Sequence, residues 1–278
     1  MTFETGFLDK VRCYHEQGFL KNSLVERWKH YGFEFGKGRP REDRWSIEVV
    51  AYGRPIYIRW GNRSDTTYNF FLNPSKFKNV YQMQKILIEV LGEECLEAKV
   101  NRVDFTVDIP IAYHEVLAGL EVKYKRANVE FHNNYNRTGL NVGGNQDKFV
   151  IYNKSDEKNL PYPLTRIERQ LRGRKIVFSK FGEIANSLDR ILDFHPMKYV
   201  KTNYVQFLKG KPIGNKQNDR FYELRTLVLH EGLYLAKKKL SLNRNFHRDY
   251  EKFFRLIPCE QQPSDYFNKG IKKFYQGK

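Results

Sequence analysis

Three short runs carry residue types and spacings suited to chemistry. In residues 101–108, Asn-Arg-Val-Asp-Phe-Thr-Val-Asp, the carboxylates Asp104 and Asp108 lie four apart with Thr106 midway. On an extended strand these three point one way, while Val103, Phe105 and Val107 point the other. Two carboxylates on one sheet face suit a hard divalent cation, or else ion pairs with the protein's own Lys and Arg. In residues 165–171, Arg166, Glu168 and Gln170 share one face and Ile167, Arg169 and Leu171 the opposite one. Glu168 can join Asp104 around a cation, and Arg166 can balance a carboxylate or hold a phosphate. In residues 148–154, Tyr152 and Lys154 fall on one face. A tyrosyl oxygen attacks a phosphodiester if its proton is removed or its charge is neutralised. Mg²⁺ or Mn²⁺ would align and polarise that phosphate while Lys154 stabilises the developing negative charge. Tyr152 is one of 18 tyrosines, so residue type alone does not single it out.

The elements that must position these runs read as strands first and helices later. Alternation of apolar and polar residues predicts strands over 6–15, 44–51, 55–60, 68–72, 98–109, 128–132, 139–142, 148–153 and 164–171. The turn between the second and third is Tyr52-Gly53-Arg54, and a glycine-rich tight turn is expected over 141–145. Helices are expected over 20–31 and 111–119, and through Val80, Met83, Ile86, Leu87 and Val90, whose spacing is three and four. Beyond about residue 177 helices predominate, with a loop over 210–219 and helices over 221–239 and 245–256. The order implies an α+β fold: a largely antiparallel central sheet with flanking helices, followed by a mainly helical C-terminal portion. A division into a sheet-based part, 1–175, and a mainly helical extension, 176–278, follows.

Charge narrows the partner. With 49 Lys+Arg against 32 Asp+Glu, the 278-residue chain carries a formal +17. Spread positive charge of this size favours nucleic acid, because it releases counterions from a phosphate backbone. Aromatic residues make up 15% of the chain, which suits ring-packed sheets and base stacking alike. No run approaches the ~20 apolar residues that cross a bilayer, and Cys13, Cys95 and Cys259 are an odd, scattered trio, so a reducing, cytoplasmic setting is expected. His132 and His195 do not form a His-hydrophobic-His pair and are expected to be structural or surface residues. No GxxxxGK[ST] loop is present, so nucleotide-driven unwinding would fall to another protein.

Taken in order, these segments resemble the Rep_trans family of rolling-circle replication initiators, a group that includes relaxases of integrative elements. The run Phe71-Leu72-Asn73-Pro74 is similar to a family strand ending in Asn-Pro, and 101–108 to its Arg-hydrophobic-Asp strand. Residues 139–157 resemble its Gly-turn and Ile-Tyr-Asn-Lys strand, and 165–174 its Arg-hydrophobic-Glu strand. Phe71 and Gln170 stand where the family often has carboxylates. The resemblance implies a sheet-based nickase domain in which Tyr152 is the nucleophile, joined to a 5′ phosphate while a 3′-OH is left as primer. It implies Mg²⁺ or Mn²⁺ held by Asp104, Glu168 and Asp108, with Arg102, Lys154 and Arg166 near the phosphate. It further implies plasmid or phage origin DNA, partly single-stranded or cruciform at the nick, a host helicase and a homodimer as partners. A conjugative relaxase of the same chemistry and a non-catalytic origin-binding regulator are the alternative readings.

Overall fold

The computed structural model describes residues 7–15, 21–37, 46–61, 64–123, 129–134, 137–208, 215–240 and 253–277. A ten-stranded, wholly antiparallel sheet organises the chain. Its strands are β1 (Phe7–His15), β2 (Glu34–Lys37), β3 (Ser46–Ala51), β4 (Arg54–Gly61), β5 (Ser64–Leu72), β6 (Lys99–Ile109), β8 (Val129–Asn134), β9 (Arg137–Gly144), β10 (Asp147–Asn153) and β11 (Thr165–Arg172). They run in the order β2-β3-β4-β5-β1-β6-β11-β10-β9-β8. The β3–β4 hairpin turns where the sequence places it, through Tyr52 and Gly53, both at positive φ, as the tight two-residue turns of twisted hairpins require.

Alternation gives the sheet two unlike faces. Val103, Phe105, Val107, Phe149, Ile151, Ile167 and Leu171 are buried on the inner face, where helices cover them. The helix α2 (Val80–Leu91) contributes Met83, Leu87 and Val90, and α8 (Pro263–Gln276) contributes Phe267, Ile271 and Phe274. Phe267 meets Phe105 edge-on at 5.7 Å, so the C-terminal helix seals the middle of the sheet. The helix α1 (Lys21–His30) is tied to α2 by Trp28, whose Nε1 donates to the Val90 carbonyl at 2.8 Å. The outer face instead carries Asp104, Thr106, Asp108, Tyr152, Arg166, Glu168 and Gln170, as the register of β6, β11 and β10 requires. This is a mixed α+β fold with an antiparallel sheet flanked by helices.

A smaller cluster lies beyond β11. The helix α6 (Asn215–Glu231), α7 (Leu233–Leu240) and the paired strands β13 (Asn203–Phe207) and β14 (Phe254–Pro258) enclose Leu224, Val228, Leu233, Ala236 and Phe254. They pack against α3 (Tyr113–Gly119). A short pair, β7 (Glu121–Val122) with β12 (Val200–Lys201), and α5 (Leu188–Phe194) connect this part to the sheet.

Several boundaries differ from the sequence reading. The helix expected over 221–239 is two helices, broken at Gly232, whose φ is +85° and where a Cβ would stand 2.5 Å from the Leu117 carbonyl oxygen. The loop expected over 210–219 gives way to helix at Asn215. The expected helix over 245–256 lies largely outside the described residues, and its end is strand β14 paired to β13. The strand β9 runs on to Gly144, leaving Asn145 and Gln146 as the turn. No helix among the described residues is long and apolar enough to cross a membrane.

Candidate active site

Register places the predicted site residues in rows across the outer face. One row runs from Gly139 on β9 through Tyr152 on β10 and Arg166 on β11 to Asp108 on β6. The next holds Val150, Glu168 and Thr106, and the one after it Lys148, Gln170 and Asp104. Diagonal neighbours on an antiparallel pair are within reach of long side chains, and Tyr152 uses that reach.

The Tyr152 hydroxyl donates a hydrogen bond of 2.7 Å to Glu168 Oε1 in a buried setting. Gln170 Nε2 donates to the other oxygen, Oε2, at 3.2 Å. Glu168 is thereby oriented from one side and presents an acceptor to the phenol from the other. Burial first, and then the negative charge of Glu168, push the Tyr152 phenol far above its ordinary ionisation range; the positive charge of Arg166 pulls the other way. The phenol is thus neutral at rest and gives up its proton only to a base in contact with it. Glu168 is the carboxylate in contact with it.

Arg166 is gripped by Asp108 through two parallel bonds, Nε to Oδ1 at 2.6 Å and a terminal nitrogen to Oδ2 at 2.7 Å. A fork of this kind fixes the guanidinium plane beside Tyr152. Lys154 is expected from sequence to share the strand face of Tyr152, but Asn153 caps the short helix α4 (Lys154–Lys158) by accepting from the Asp156 amide, so Lys154 begins that helix. Its ammonium still reaches the site, 5.7 Å from the centre of the Tyr152 ring, while donating to Glu157 at 2.7 Å. Tyr152 itself is only 5% exposed. A phosphodiester therefore meets its oxygen only after the covering side chains shift.

Asp104 stands apart from this group. Arg102 on the same strand holds it by the same two-pronged geometry, at 2.8 and 2.6 Å. The structure thus gathers Tyr152, Lys154, Arg166, Glu168 and Asp108 and leaves Asp104 in a separate ion pair. The donor chemistry bears on the implied cation. Both oxygens of Asp104 accept from Arg102, both of Asp108 from Arg166, and those of Glu168 from Tyr152 and Gln170. As arranged, the three carboxylates do not fit a shared Mg²⁺ or Mn²⁺ shell, and among the described residues no group of three or more His, Cys, Asp or Glu does.

Two features escaped the sequence. The Tyr152–Glu168 contact was readable in principle: residues 148–153 and 165–171 are successive strands, and pairing them antiparallel sets these side chains on one diagonal. Arg169, on the inner face, had no such signal. It is 2% exposed, bonds Asp147 twice and the Pro196 carbonyl once, and is boxed by Phe149, Phe194 and Tyr199.

No family model and no curated protein matches the chain. Among solved structures it is similar to that of a rolling circle replication initiator protein from Geobacillus stearothermophilus, at 14% identity and a TM-score of 0.40, over 75% of this chain and 89% of that chain.

Proposed function

We propose that the chain nicks one DNA strand at a replication origin and holds the new end as a phosphotyrosine, thereby starting rolling-circle replication. The observation that carries this reading is the Tyr152 hydroxyl donating to Glu168 at 2.7 Å on a polar sheet face. In the step derived from these groups, Tyr152 Oη attacks the scissile phosphorus as Glu168 takes the phenolic proton. The bond from phosphorus to the 3′ oxygen breaks, and that oxygen acquires a proton from solvent. Net, the proton leaves the tyrosine and a 3′-OH appears, while Arg166 and Lys154 offset the negative charge gathering at the phosphate. The phosphodiester energy is conserved in the tyrosyl ester, so rejoining needs no nucleotide.

The basic surface gathers origin DNA, partly unpaired at the nick, and a host helicase supplies unwinding. The region 176–278, apart from the helix α8 that seals the sheet, would serve origin recognition or dimerisation. The test is incubation with a supercoiled plasmid carrying a candidate origin, in Mg²⁺, in Mn²⁺ and in EDTA, followed by a denaturing gel. The three arms are needed because the family resemblance implies a divalent ion and the carboxylate arrangement supplies no shell for one. The expected result is a nicked circle with protein covalently on its 5′ end. Intact supercoils in all three conditions, with DNA bound, would leave the chain an origin-binding protein instead.

A further inference from the structure

Tyr152 occupies one corner of the outer face, and the opposite corner carries a feature that nicking chemistry does not use. Tyr57 on β4 and Phe71 on β5 face each other in register, their rings stacked 5.3 Å apart at 15°. Arg59, two residues along the same face, sets its guanidinium 5.0 Å from the centre of the Phe71 ring. Phe71 thus meets a ring and a cation, and the Tyr57 beside it is 38% exposed. The Tyr57 hydroxyl is bonded to Glu48, its partner on β3, and among the described residues no second ring or cation meets the Tyr57 ring.

An aromatic cross-strand pair steadies a sheet wherever it stands, so the pair alone is not a site. Its company is the second observation. The row that holds Phe71 and Tyr57 continues through β1 to Arg102 on β6 and Arg172 on β11. Arg59, Lys148 and Arg172 all lie on this face, and among the described residues none of the three is held in an ion pair. Three cations outside ion pairs beside a partly exposed ring pair, with Glu48 the carboxylate at its edge, on a chain of formal charge +17, complement a phosphate backbone with unpaired bases.

The spacing suits the same ligand. From β5 to β10 is four strand steps, roughly 19 Å, and from the Arg166 row to the Arg172 row is six residues, roughly 20 Å. A diagonal of roughly 28 Å accommodates several nucleotides of extended single strand.

We propose that Tyr57 and Phe71, with Arg59, form a base-stacking platform that holds single-stranded DNA several nucleotides from the scissile phosphate, with Arg172 and Lys148 tracking the phosphates between. A base laid on Tyr57 extends a stack that is already built. The identity of the strand rests on the nicking reading; the stacking does not.

The experiment uses the full chain and a fluorescent oligodeoxythymidine, with binding read by anisotropy, and an oligonucleotide carrying one 5-iododeoxyuridine, with the photo-crosslink read by peptide mapping. Tyr57→Leu is expected to weaken binding about tenfold, in the range of one lost base–aromatic stack, while Tyr57→Phe stays within about twofold. Arg59→Gln, which removes no ring from the sheet, is expected to lower the log–log salt slope by about 0.7. The crosslink is expected at Tyr57 or Phe71. Unchanged affinity in Tyr57→Leu and Arg59→Gln, or a crosslink confined to other strands, overturns the platform. The same preparations are assayed for a covalent adduct. An adduct with unchanged Tyr57→Leu binding sinks the platform alone; weakened binding with no wild-type adduct leaves the platform standing and sinks the nicking reading.

Discussion

Strand β11 carries two Arg–Asp pairs of the same two-pronged geometry on its opposite faces, and they are built for different ends. Arg169 lies inward, bonded to Asp147 and the Pro196 carbonyl, with Phe149, Phe194 and Tyr199 around it. Every direction in which it could meet a ligand is filled by the protein. Arg166 lies outward, held by Asp108 at 2.6 and 2.7 Å, and its charge is felt by Tyr152. The lesson is that an ion pair states its role through what surrounds it. A charge sealed by rings ties the β9–β10 turn and the 194–199 segment to the sheet; a charge aimed at a phenol beside a carboxylate stands where the proposed nicking step would use it.

The sharpest way to break this comparison is to exchange costs between the faces. Glu168→Gln keeps a polar neighbour for Tyr152 but cannot take its proton, so nicking is expected to slow by about 10²–10⁴-fold, with the thermal midpoint and DNA affinity nearly unchanged. A nicking assay on the purified variant reads this, and wild-type rates would refute Glu168 as base. On the inner face, Arg169→Met strands the Asp147 carboxylate in a buried setting. A loss of about 3–5 kcal/mol of stability is expected in urea unfolding, with whatever protein remains folded still able to form adduct. Arg166→Lys keeps the charge and loses the fork to Asp108. Roughly tenfold slower nicking is expected, with at most about 1 kcal/mol of stability lost.

A smaller effect comes from pH. Burial raises the Cys95 thiol to about 12 and the Tyr113 phenol to about 12, and pushes Tyr68 and Tyr275 higher still. Unfolded, these groups lose their protons near 9.0 for Cys and 10.0 for Tyr. The fold therefore binds those protons more tightly, and the stability this gives is fully present below about pH 9 and drains as pH rises above it. Thermal melts from pH 7 to about 11 are expected to be level at first and then to fall. A midpoint that holds steady throughout would contradict the burial of these groups.

Much of the sheet was legible because period-two alternation states which residues share a face. Asp104, Thr106 and Asp108 fall on one side of β6 and Val103, Phe105 and Val107 on the other, as expected. The contacts within a face were less legible, since they depend on which strands adjoin and in what register. Glu168 was therefore grouped with Asp104 when its partner is Tyr152. The aromatic box of Arg169 was beyond reach, because Phe194 and Tyr199 lie far along the chain. Beyond β11 the signals were local and partly overlooked. Gly232 breaks α6 from α7 through a close approach to Leu117 that no periodicity reveals. The helix α8 is absent from the sequence reading, although Pro263 at its first turn and Asp265, whose carboxylate accepts from the Gln262 amide, are local start signals.

The central claim is that Tyr152 becomes the covalent link to DNA. It is tested most directly by trapping the adduct on origin DNA, digesting both components and locating the nucleotide-bearing peptide by mass spectrometry, in wild type and in Tyr152→Phe. The account predicts a 5′-phosphonucleotide on Tyr152 in the wild type and no adduct in the variant, which binds the DNA as before. An adduct on another residue, or one that persists in Tyr152→Phe, would contradict it.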